Sequence, residues 1–68
     1  MPATEAHSEL THMIDCLNEA MKWSTQADGT LKSGVRGGAD IAYTLYAVHL
    51  TILSARTQVT TLAHKLRP

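Results

Sequence analysis

The amino-acid sequence predicts an all-α fold, an antiparallel helical hairpin of two long helices that dimerises into a four-helix bundle. Three observations carry this expectation. Apolar residues recur at alternating spacings of 3 and 4 in two separate segments, which is the period of one face of an α-helix. All four glycines of the chain fall between those segments, where the backbone freedom of glycine suits a connection. The second segment also carries more apolar surface than one neighbouring helix can cover.

The first helix is expected over about residues 5–26. Leu10, Ile14, Leu17, Met21 and Ser24 form its apolar stripe, widened by Met13 and Ala20 and extended sideways by Cys16 and Trp23. Thr11, His12, Asp15, Asn18, Glu19 and Lys22 occupy the opposite, wet arc. Thr4 or Ser8 can serve as N-cap, Glu5 and Glu9 suit the positive end of the helix dipole, and Gly29 supplies a stop. A glycine-rich loop follows over about 27–38. It gives way to a second helix over about 39–66, in which Ile41, Leu45, Val48, Ile52, Ala55, Val59, Leu62 and Leu66 make a heptad-type seam against the first helix. Asp40 sits in the first turn, Lys65 and Arg67 lie near the end, and Pro68 closes the helix.

A second stripe, Tyr43, Tyr46, Leu50 and Leu53, lies on helix 2 away from that seam. No Asp, Glu, Lys or Arg occurs from Ile41 to Ala55. That uncharged run is shorter than the ~20 residues a membrane span requires. Protein must therefore cover the stripe. A second copy of the chain is the simplest cover, with these four residues as the two-fold interface, and the same patch also suits a different protein.

The chain of 68 residues forms one domain over 1–68, and so short a chain seldom folds stably without a staple or a partner. The single cysteine rules out an internal disulfide. The formal net charge is zero, yet residues 1–30 carry a net −4 and residues 31–68 a net +4, so folding back brings opposite signs together. Zero net charge also argues against a generic binder of nucleic acid or anionic membrane. The segment from Met1 to Leu10 holds Glu5 and Glu9 and no apolar core of a leader peptide, so a cytoplasmic location is expected.

Few residues suggest chemistry. His12 and Cys16 stand four apart on helix 1, the spacing of a two-ligand metal clip, but a structural zinc site takes four ligands and no second His/Cys pair is present. Cys16 is accordingly read as packing, and no cofactor is expected. His49 lies among apolar residues beside the seam, His7 and His64 face solvent, and no nucleophile elbow or metalloprotease motif occurs. Lys32 and Arg36 flank the glycines ahead of helix 2 and are the candidate contacts for an anion or an acidic partner, although a P-loop pattern is absent. The functional expectation is a non-enzymatic protein-interaction module, a homodimeric adaptor or inhibitor that binds another protein. The alternatives are a dimeric nucleic-acid regulator using Lys32 and Arg36, which the sparse cations disfavour, and, more weakly, a metal-responsive protein using His12 and Cys16.

Overall fold

The computed structural model describes residues 2–67 and consists of two α-helices, α1 (Pro2–Gly34) and α2 (Gly38–Lys65), joined by the turn 35–37. The all-α helical hairpin is as the periodicity requires. Pro68 lies outside the described residues.

The first helix is longer than expected and the loop correspondingly shorter. Helix α1 runs straight through Gly29 to Gly34, so the anticipated loop of residues 27–38 reduces to 35–37. A glycine inside a helix costs about 1 kcal/mol relative to alanine, a weak preference that tertiary contact overrides. That contact comes from Asp28 and Leu31, which continue the inward line of Leu10, Ile14, Leu17, Met21 and Ser24 and are themselves partly covered. At the other end Pro2 opens the helix, where its missing N–H costs nothing.

The reversal depends on two glycines for different reasons. Gly37 has φ 71°, in the left-handed region, and precedes the first residue of α2. The Gly38 N–H donates to the Val35 carbonyl at 2.9 Å. Gly38 is buried, and a Cβ there would overlap the backbone carbonyl of Leu31. The helices meet so closely at the turn that no side chain fits between them.

This close approach re-registers the seam of α2. Leu45, Ile52, Val59 and Leu66 turn inward as expected, but Ile41, Val48 and Leu62 remain about half exposed. Their expected places are taken by Ala42, His49 and Ala63, each one residue later in the chain. Among the described residues, the apolar ones buried in the contact are Ala42, Val59 and Ala63, joined by Ser24, and no large side chain is fully enclosed. Small residues let two helices approach, whereas the larger ones at the flanking positions would hold them apart.

The hydroxyls of threonine-rich α2 find their partners within the helix itself. Thr51, Thr57, Thr60 and Thr61 donate to the carbonyls four residues earlier, at 2.8–3.1 Å. Among the described residues the opposite charges of the two halves do not pair across the hairpin. The ion pair among the described residues, Lys32 to Asp28 at 3.1 Å, lies within α1. Arg56 instead donates to the neutral Asn18 amide oxygen at 2.9 Å across the two helices.

The molecule is a thin rod of 52 × 14 × 11 Å with a radius of gyration of 15.5 Å. A compact domain of this length has a radius of about 11 Å. The accessible surface is 5150 Å², whereas a compact monomer of this mass exposes about 4,200 Å².

The glycine geometry generates opposite expectations at two positions. Gly38→Ala should lower the unfolding free energy by about 1–3 kcal/mol through overpacking against Leu31. Gly29→Ala, with nothing near its missing Cβ, should raise it by about 1 kcal/mol. Urea unfolding followed by far-ultraviolet circular dichroism at one fixed protein concentration measures both.

Candidate functional site

The plane through the two helix axes divides the surface into two flanks of different chemistry. On one flank, helical geometry aligns Thr11, Asn18, Thr25 and Lys32 of α1 in a polar row. Facing that row across the groove stand Tyr43, Tyr46, Leu50 and Leu53 of α2. Tyr43 is 84% exposed and Tyr46 61%, Leu50 is about half exposed, and Leu53 is partly covered. The helix turn thus keeps the four predicted interface residues on one side of α2 and grades them from open to half-buried.

Near the turn this flank opens into a hollow of about 440 Å³. Tyr43 and Tyr46 form one wall, Thr25 and the Asp28–Lys32 pair the other, and Ser24 and His49 lie at its floor. Ser24 Oγ and His49 Nδ1 share a hydrogen bond of 3.1 Å. Spacing along the chain does not reveal this pair, because the two residues are 25 apart. The signal that could have found it is a polar residue within each helix's apolar line at matching heights of the hairpin, since a buried hydroxyl or ring nitrogen needs a partner. His49 therefore sits in the seam rather than beside it.

A serine hydrogen-bonded to a histidine in a hollow invites comparison with a nucleophile and its base. Two parts of such a machine are missing from the geometry. No carboxylate among the described residues is hydrogen-bonded to the His49 ring. Mid-helix N–H groups on both sides are engaged in the helical ladders and cannot serve an oxyanion. Ser24 is also only 7% exposed. No buried side-chain N or O among the described residues lacks a partner, so the pair satisfies itself within the seam.

The remaining candidates are dispersed. His12 and Cys16 are both exposed on α1, and no group of three His, Cys, Asp or Glu residues among the described residues could hold a metal ion. Lys32 is engaged by Asp28, while Arg36 is exposed in the turn. At the far end of the rod, His7, His64 and Arg67 border a second, shallower hollow of about 180 Å³ that also touches Ile14 and Ala63. His7 is partly covered there rather than fully in solvent.

The opposite flank is apolar on both helices. At 100° per residue, Met13, Cys16, Ala20, Trp23 and Ala27 of α1 and Ile41, Val48, Ala55 and Leu62 of α2 turn to this side. Trp23 is 62% exposed, and Met13, Ile41, Val48 and Leu62 are each about half exposed. The inward shift of the α2 seam by one residue is what releases Ile41, Val48 and Leu62 to this surface. No helix among the described residues is long and apolar enough to cross a membrane. Neither a protein-family model, a curated protein nor a solved structure matches the chain.

Ser24→Ala leaves His49 Nδ1 without its partner inside the seam. The loss should be about 1 kcal/mol of unfolding free energy, read from urea denaturation, with the helical content of the folded protein unchanged.

Proposed function

We propose that the chain is a non-enzymatic protein-interaction module, a homodimeric helical adaptor or inhibitor that acts by binding another protein. The observation that carries this reading is the mismatch between the slender core and the apolar surface outside it. The helix contact encloses little more than alanines, a valine and a serine, while Trp23, Tyr43, Tyr46 and Ile41 stay largely open. Exposed aromatic and branched side chains gathered on a polar-rimmed surface are the composition of association hot spots.

The tyrosine flank supplies the contact for the bound protein. Tyr43 and Tyr46 offer rigid amphipathic surface, and the hollow beside them is sized to receive an apolar anchor from a partner. The Asp28–Lys32 pair and Thr25 provide a polar edge that hydrogen-bonds around such an anchor. A pure dimer core has less use for that edge, because its other half would bury charged groups. Leu50 and Leu53 extend the contact along α2 towards the middle of the rod. The nucleic-acid alternative has weaker support, because one of its two loop cations is already engaged with Asp28.

The test is affinity capture from the native cell extract with the unmutated chain and with Tyr46→Glu and Leu50→Glu. Tyr46 is largely and Leu50 about half exposed, and neither lies in the helix contact, so both variants should keep the helical spectrum. The expected result is a protein recovered with the unmutated chain and lost with both variants. Equal recovery in all three would count against the tyrosine flank. Recovery of nucleic acid that disappears as salt is raised would favour the alternative.

A further inference from the structure

We infer that the chain pairs with a second copy of itself through the flank opposite the tyrosines, the face that carries Met13, Trp23, Ile41, Val48 and Leu62. This inference builds on the proposed self-association and assigns it a surface different from the tyrosine stripe.

Three features point to another hairpin as the occupant. The first is shape. Both helices contribute to this face, and the rod is only 11 Å thick, so the surface is broad and shallow rather than a groove for one helix. A second hairpin laid on it yields a four-helix bundle, the packing that buries such faces on both sides at once.

The second feature is area. From Ile41 to Leu62 the face runs about 32 Å along α2 at the helical rise, and two helices side by side are about 18 Å across. That footprint is on the order of 550 Å² per chain, about 1,100 Å² in total, at the lower edge of what a specific interface buries. The chain exposes 5150 Å², roughly 950 Å² more than a compact monomer of its mass. The surplus is on the scale of what each partner buries in such an interface.

The third feature is charge. The middle of the face carries none, and the net charge of zero leaves two copies without mutual repulsion. The charges that bracket the apolar run of α2, Asp40 at its start and Lys65 at its end, are of opposite sign.

Trp23 and Cys16 are built-in reporters, because each is unique in the sequence and both lie on this face. The test is sedimentation velocity of the full chain over a range of concentrations, alongside Trp23 emission and the alkylation rate of Cys16, for the unmutated chain, Val48→Glu and Tyr46→Glu. The expected result is a dimer in which Trp23 emission moves to the blue and Cys16 alkylation slows several-fold as concentration rises. Val48→Glu should weaken dimerisation at least about 30-fold, and Tyr46→Glu should leave it unchanged. A dimer that survives Val48→Glu and is lost in Tyr46→Glu would overturn this face while preserving self-association. A chain that sediments as a monomer throughout would overturn both, and capture of a different protein at the tyrosine flank would then stand or fall separately. Should Val48→Glu fail to fold, Cys16 in the unmutated dimer decides, since alkylation at the monomer rate would refute the face.

Discussion

The two helices can touch closely only because the residues between them are small. Gly38 has no room for a Cβ against Leu31, and Ala42 and Ala63 continue the tight contact along α2. The Ser24–His49 hydrogen bond fits into the same narrow seam and satisfies its own polar atoms. Close approach gives good backbone packing and leaves little volume between the helices. Ile41, Val48 and Leu62 are consequently displaced to one flank, and the large side chains that do turn inward, such as Leu17, Leu45 and Ile52, are only partly covered. The narrow rod, the slight core and the apolar outer surfaces are all consequences of this spacing.

The two flanks differ because the helices contribute unequally. On α2 both sides are apolar, so either could meet another protein. Helix α1 breaks the tie, with a row of Thr11, Asn18, Thr25 and Lys32 on the tyrosine side and Met13, Cys16, Ala20 and Trp23 on the other. A surface apolar across both helices suits a permanent partner that excludes water. One that mixes tyrosines with hydroxyls and an ion pair suits an exchangeable partner, since its polar groups remain satisfied when it is free.

Much of this architecture was legible in the sequence, and the parts that were not have identifiable causes. The stripe of α1 was readable because Leu10, Ile14, Leu17 and Met21 are large, apolar and alone on their face. On α2 two lines of residues one position apart share Leu45, Ile52, Val59 and Leu66, and periodicity favours the line that adds Ile41, Val48 and Leu62. The structure uses the line with Ala42, His49 and Ala63, because steric fit against α1 outweighs side-chain size in choosing the contact. Gly29 misled for a related reason: its local cost is small beside the packing of Asp28 and Leu31 on either side of it. The four tyrosine-flank residues were placed on one side of α2 by helical period alone. The hollow beside them was not, because its other wall belongs to α1 and depends on the register between the helices.

With a core this thin, the proposed association of hairpins would contribute to the stability of the fold itself. Anything that binds the folded chain and not the unfolded one stabilises it by mass action, so a self-associating fold melts at a temperature that depends on its own concentration. Thermal unfolding followed by circular dichroism, from dilute to concentrated protein, tests this most directly. The midpoint should rise steadily with concentration. A midpoint that stays constant, in a chain that is fully helical when dilute, would contradict the proposed association.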